Sequence, residues 1–134
     1  DTARAKDIVD AWMQKHGDKI EFIFSNNDSM ALGALQSIQA LGYNQGDNNK
    51  FIPIVGVDAI PDMLNEIKKG TIVGSVLNDA LNQAKAVVDL SLNVSAGKEP
   101  LEGTQWTLDE VKAVRVPYVP ITIDNIEVAE NTYK

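Results

Sequence analysis

Three short polar side chains, Asn27, Asp58 and Asn78, each stand where an apolar, β-branched run gives way to a helix-like segment. The runs are Glu21-Phe22-Ile23-Phe24-Ser25, Ile52-Pro53-Ile54-Val55-Gly56-Val57 and Ile72-Val73-Gly74-Ser75-Val76-Leu77. An ionised carboxylate only accepts hydrogen bonds, through about four lone-pair sites, whereas an amide both donates and accepts. A hydroxyl also does both. One carboxylate and two amides therefore suit a ligand bearing several hydroxyls, a polyol. In open α/β sheets, ligands bind outside the carboxyl ends of the strands, which is where these residues fall. Each also has a plainer reading as a helix N-cap. Asn27 or Asp28 would cap the helix that follows, Asp58 the helix opening at Pro61, and Asn78 the long helix beyond it. Recurrence on three neighbouring strand ends favours a ligand edge.

The elements that must position these residues alternate. The pattern predicts a helix from Thr2 to about Lys15, with Ile8, Val9, Trp12 and Met13 on one face and Asp1 as its cap. A strand over 21–25 leads to a helix from Ser29 to Leu41, whose inner face carries Met30, Ala34, Leu35, Ile38 and Leu41. The Gly-, Asn- and Asp-rich stretch 42–50 is a loop. A strand over 52–57 precedes a helix with Pro61 in its first turn, Met63, Leu64 and Ile67 facing inward, and Gly70 at its end. The strand over 72–77 feeds a long helix over about 81–96. Alternation at this spacing predicts an α/β fold, a parallel sheet with flanking helices. The pattern breaks after Gly97. Residues 104–108 and 112–117 read as short strands, a hairpin in outline. The proline-interrupted stretch 118–123 suits an edge or a crossing strand. Asp124 can cap a last helix holding Ile126, Val128 and Ala129.

Composition narrows the chemistry. The chain has 134 residues, 44% of them apolar, which is ample for a packed core. Its net charge of −7 argues against a nucleic-acid partner, because phosphate binding needs clustered Lys and Arg. There is no cysteine, hence no disulfide or thiolate chemistry. His16, the sole histidine, falls at a helix end beside Gly17, where it favours the dipole and has no nucleophile to serve. Trp12 reads as core, and Trp106 as packing on a neighbouring lobe. Asp47-Asn48-Asn49 lacks the Gly and terminal Glu of a calcium loop and reads as solvated. No phosphate loop, zinc spacing or G-x-S-x-G elbow occurs, so the chain is not read as an enzyme. Its first residues, with no initiator Met, no basic region and an amphipathic helix at once, suggest a piece of a longer protein.

The segments Ser25-Asn26-Asn27-Asp28-Ser29-Met30-Ala31, Val55-Gly56-Val57-Asp58-Ala59 and Leu77-Asn78-Asp79-Ala80-Leu81-Asn82-Gln83-Ala84-Lys85, in this order, resemble bacterial periplasmic sugar-binding proteins of the galactose/glucose type. Asp1-Thr2-Ala3-Arg4-Ala5-Lys6 and Val114-Arg115-Val116-Pro117-Tyr118-Val119 extend the resemblance nearly end to end, over the C-terminal portion of such a protein. It implies a type I periplasmic-binding-protein fold, two α/β lobes joined by three hinge strands with sugar between them. Asn27, Asp58 and Asn78 would be the sugar contacts of the C-terminal lobe. The family's stacking Trp would fall just before Asp1. Glu21 matches the distant Glu of the family's structural calcium site, whose loop is not in this chain, so no cofactor is expected for the chain alone.

The resemblance further places 1–80 in the C-terminal lobe, 81–116 in the N-terminal lobe and 117–134 back in the first, with crossings near Asp79-Ala80 and Pro117. The implied role is glucose or galactose capture for an ABC importer, with an associated part in chemotaxis. Its partners would be the sugar, the membrane permease and the rest of the parent protein, with self-association through uncovered apolar faces. The location would be the periplasm, or the membrane surface as a lipoprotein. The alternative is the effector domain of a LacI-type repressor, which shares this fold and would carry an upstream helix-turn-helix.

Overall fold

The computed structural model describes residues 1–133. In chain order the elements are α1 (Thr2–His16), β1 (Ile23–Phe24), α2 (Asp28–Gln39), β2 (Ile54–Val55), α3 (Pro61–Lys68), β3 (Ser75–Leu77), α4 (Ala80–Ser95), β4 (Val119–Ile121) and α5 (Ile126–Glu130). They divide into two compact units. One comprises Asp1–Asn78 and the segment from Val119 onward; the other is Asp79–Tyr118.

The first unit is the α/β layer that the alternation predicts. β1 and β2 pair in parallel, with Ile23 opposite Ile54 and Phe24 opposite Val55. Parallel bridges between Val55 and Gly74 and between Asp58 and Leu77 carry the pairing on to β3. β4 closes the far edge antiparallel to β3, with Val119 opposite Leu77. An edge place suits Pro120, which has no N–H to donate. The regular strands are shorter than the apolar runs. At residue 52 the reason is visible: Asn44 Oδ1 accepts from the Ile52 amide and Asn44 Nδ2 donates to the Ile52 carbonyl, both at 2.8 Å. A buried side chain thus replaces a ladder partner there.

The core forms where helix stripes meet the sheet. Ala31, Ala34, Leu35 and Ile38 of α2, Met63, Leu64 and Ile67 of α3, Ile54 of β2, Leu77 of β3 and Ile121 of β4 are all buried. Met30 is only partly buried and Leu41, beyond the end of α2, is exposed. α1 behaves differently from its helical pattern. Val9 and Met13 are buried, but Ile8 and Trp12 are 40% and 50% exposed. One i, i+4 pair meets α2 while the neighbouring pair faces an open apolar groove of about 450 Å³ that Phe24 and Met30 also line. Trp12 is therefore not core. α1 and α2 cross closely because Gly33 has no side chain; a Cβ there would lie 2.2 Å from the Thr2 carbonyl oxygen.

One polar link ties the same pair of helices. The buried Ser37 hydroxyl donates to Asp10 Oδ1 at 2.5 Å, and Lys6 Nζ lies 2.6 Å from Asp10 Oδ2. These two partners, Lys6 first, hold the Asp10 carboxyl below its ordinary range. Replacing Ser37 by Ala removes one bond to a charged group whose other partner persists. The expected loss is about 1 kcal/mol in urea-unfolding stability.

Helix ends follow local chemistry. Asp1 Oδ1 accepts from the Arg4 amide and caps α1, which ends with Lys15 and His16 in its last turn. Pro61 opens α3. At the C-terminus Asp124 is not a cap: Thr122 and Asn125 form a capping box over a 3₁₀ turn that leads into α5.

The second unit is built on α4, capped by Asp79, whose Oδ1 accepts from the Asn82 amide at 2.9 Å. Only Ala86 of α4 is buried, and Val87, Val88, Leu92 and Val94 are more than half exposed. The expected hairpin shrinks to one antiparallel bridge, Leu108 with Val114, around a turn at Asp109. Trp106 is partly buried and its indole Nε1 donates to Asp89 of α4 at 2.8 Å. Among the described residues no helix is long and apolar enough to cross a membrane.

Candidate functional site

Parallel pairing brings the three strand ends together at one edge of the layer. The Asp28 amide donates to the Val57 carbonyl and the Asp58 amide to the Val76 carbonyl, both at 2.8 Å. The residues that follow β1, β2 and β3 are thereby stepped side by side. Asn27, Asp58 and Asn78 are all partly buried there. Asn78 Nδ2 reaches Asp58 Oδ1 at 3.4 Å, a long contact between a donor and a carboxylate.

Capping accounts for Asn27 alone. Its Oδ1 accepts from the Met30 amide at 2.9 Å, so Asn27 rather than Asp28 is the N-cap of α2. The cap uses its acceptor and fixes the orientation of the amide group. α3 has Ile60 at its N-cap and no side-chain cap, so Asp58 does not serve it. Asp79, not Asn78, caps α4.

Asp58 is set on an unusual backbone. Its φ is +112°, and Ala59 follows at +56°. Two successive non-glycine residues at positive φ cost of order 1–3 kcal/mol each and persist only where neighbours over-determine them. Here three consecutive amides are held. The Asp58 amide goes to Val76, the Ala59 amide to Ser75 Oγ at 3.2 Å, and the Ile60 amide to Asp28 Oδ2 at 2.8 Å.

Asp28 and Ser75 are buried neighbours of this candidate site that helix capping does not account for. Asp28 is fully buried and Ser75 nearly so, and the Ser75 hydroxyl donates to Asp28 Oδ1 at 2.6 Å. Burial pushes the Asp28 carboxyl up to about 6, against the pull of hydrogen bonds from Ser75 and the Ile60 amide; the Asp58 charge adds a smaller push upward. Two sequence signals were available. The Asn26-Asn27-Asp28-Ser29 cluster holds more polar groups than one cap needs, and Ser75 interrupts an apolar strand.

Glu21 lies away from this edge, exposed ahead of β1. Among the described residues no group of three or more His, Asp or Glu could hold a metal. Calcium takes six to eight oxygens, so the residues present do not fit a calcium site by themselves. A polar cleft of about 460 Å³ lined by Asn44, Asp47, Phe51, Lys69 and Thr71 lies at the opposite, amino-terminal ends of β2 and β3. Its loop, with Asp47, Asn48 and Asn49 exposed, matches the solvated reading.

Residues 1–99 match the family model of a periplasmic binding protein domain. Over 127 residues the chain is 50% identical to the D-galactose/methyl-galactoside binding periplasmic protein of Haemophilus influenzae, which covers 94% of this chain and 36% of that protein. It is 33% identical over 119 residues to the xylitol-binding protein of Mycolicibacterium smegmatis, covering 88% of this chain and 29% of that one. The chain thus spans about a third of the length of these curated relatives. Among solved structures, an ABC transporter solute binding protein from Bacillus halodurans with bound myo-inositol superposes with a TM-score of 0.77 at 26% identity, over 99% of this chain and 40% of that one. The myo-inositol binding protein of Caulobacter gives 0.74 at 27% identity, over 98% and 40%. The type of layer, the polar strand ends and the matches over most of the chain agree: this chain belongs to the periplasmic binding protein family.

Proposed function

We propose that this chain is part of the substrate-binding protein of an ABC sugar importer that takes glucose or galactose, with Asn27, Asp58 and Asn78 as its sugar contacts. The observation that carries the reading is the Asp58–Asn78 pair beside the end of β1, in a chain half identical to a galactoside-binding protein. The acidic acceptor would take two hydroxyl hydrogen bonds and the amides would supply donors. Charge-assisted bonds of this kind are the stronger ones. Polyol ligands in the names of the relatives, galactose, xylitol and myo-inositol, agree with that chemistry.

Function would follow from closure. A sugar touching two lobes favours the closed state by its differential affinity, and the closed form would dock on the membrane permease. The reading is binding rather than catalysis, in the periplasm, whether free or lipid-anchored. Glu21 would supply at most the two oxygens of its carboxylate to a structural calcium whose other ligands lie outside this chain. The exposed apolar side chains of α1 and α4 would pack on the rest of the parent protein, and on other copies in its absence.

Isothermal titration of the intact protein with glucose and with galactose tests the reading. Heat of binding with either is expected, and none with both would sink the sugar assignment. The chain alone offers one set of contacts. Its Kd for either sugar is expected above about 1 mM, a binding free energy weaker than about −4 kcal/mol. Micromolar binding by the isolated chain would contradict that.

A further inference from the structure

We propose that Asp28, acting with Ser75, is a positioning residue of the polyol site: together they hold the Ala59 and Ile60 amides and so set the turn that presents the Asp58 carboxylate. The inference rests on the sugar reading and adds two buried residues to it.

The argument is geometric. The turn after β2 needs two consecutive residues at positive φ, Asp58 and Ala59, and neither is glycine. Such a turn relaxes unless it is held. Two of its three captive amides go to the Asp28–Ser75 pair. That pair reaches across the sheet, since Asp28 lies 32 positions from Ile60 and 47 from Ser75. It joins the end of β1, the turn after β2 and β3, the three places that carry Asn27, Asp58 and Asn78. The fit around Asp28 is tight. A Cβ on Gly56 would lie 2.3 Å from Asp28 Oδ1 and 3.0 Å from the Met63 methyl.

The chemistry selects a carboxylate. The polar neighbours of its oxygens, the Ser75 hydroxyl and the Ile60 and Ala59 amides, all donate. An amide at residue 28 would turn one donor toward another and lose a bond. Burial opposes the charge, and the two influences leave the carboxyl near 6. The group facing it that carries charge is Asp58 on the turn; Ser75 on β3, Gly56 on β2, Met63 on α3 and the Ala59 and Ile60 amides are neutral. Its folded value lies above the ordinary 3.8. Asp28 therefore contributes stability that is present below 3.8 and lost as pH rises through about 6. Holding the turn with a carboxylate costs folding stability at neutral pH, which is the mark of a group kept for placement.

The test uses the intact protein and its Asp28→Asn and Ser75→Ala variants. Three quantities are read: the Kd for galactose and glucose at pH 7.5, the melting temperature, and the pH dependence of the Ile60 amide proton by NMR. In the unaltered protein the Ile60 amide should titrate with a midpoint near 6. Asp28→Asn should abolish that titration and weaken sugar binding about tenfold, with no drop in melting temperature. Ser75→Ala should weaken binding about threefold to tenfold and keep the Ile60 titration. Weaker binding without weaker folding is the signature of positioning. Sugar affinity unchanged in both variants, or an Ile60 amide insensitive to pH in the unaltered protein, would overturn the proposal. So would affinity lost in Asp28→Asn only in step with melting temperature. If Asp28→Asn fails to fold, Ser75→Ala and the Ile60 titration still decide. If the unaltered protein binds neither sugar, the functional reading falls, and the Ile60 titration separately reports whether Asp28 holds the turn.

Discussion

Asp58→Asn in the intact protein is expected to weaken galactose and glucose binding about a hundredfold while leaving the melting temperature within about two degrees. The size follows from hydrogen bonding to charge. A bond to an ionised group contributes about 1.5–3 kcal/mol, and Asp58 is placed to accept two from ligand hydroxyls. Losing their charge assistance removes roughly 3 kcal/mol, or two powers of ten. Folding should be nearly indifferent. The Asp58 side chain is partly buried, caps no helix, touches Asn78 at a long 3.4 Å, and its charge disfavours that of the buried Asp28. Asparagine is also among the residues that tolerate positive φ, so the backbone at +112° is not further strained. Titration calorimetry and a thermal melt measure the two halves. An affinity within threefold of the original would remove Asp58 from the site.

Gly56→Ala should lower stability by about 3 kcal/mol, with loss of sugar binding alongside. The added methyl would fall 2.3 Å from Asp28 Oδ1, 3.0 Å from Met63 Cε and 3.2 Å from Asp28 Cα. Met63 can swing its terminal methyl aside. Asp28 cannot, because Ser75 and the Ile60 amide pin its carboxylate and its own amide donates to Val57. Overpacking of this kind costs about 1–3 kcal/mol, and breaking a bond to a buried charge adds a similar amount. The same event frees the turn that carries Asp58, so binding falls with stability. For comparison, Val111→Ala, at 73% exposed, should change stability by under about 0.5 kcal/mol. Thermal melts of the two variants settle the matter; equal melting temperatures would mean that the space beside Asp28 is open.

Most of the first unit could be read along the chain because its determinants are local. The helices α1, α3 and α4 lie within a residue or two of the expected spans, since their caps and stops, Asp1, Pro61 and the Asn78-Asp79 step, act over one turn. The parallel sheet followed from alternation alone. The second unit was harder. Its expected hairpin rests on a single bridge, and Asp109 organises that turn through bonds to the Val111 and Ala113 amides. A local side-chain staple there replaces the ladder that a β pattern suggests.

What the sequence by itself determined is where polar residues interrupt apolar periodicity, and hence that Asn27, Asp58 and Asn78 fall on strand ends. Which of them cap helices was decided in three dimensions: Asn27 does, while Asp58 and Asn78 do not. So was the exposure of Trp12, because a helical stripe says which residues share a face but not how wide a partner covers it. The buried Asp28–Ser75 pair belongs wholly to the tertiary structure. Its bonds join residues 32 and 47 positions apart, and a carboxylate is desolvated only once the sheet has closed over it. Periodicity and capping act over a few residues; burial and electrostatics depend on what the fold brings from elsewhere in the chain.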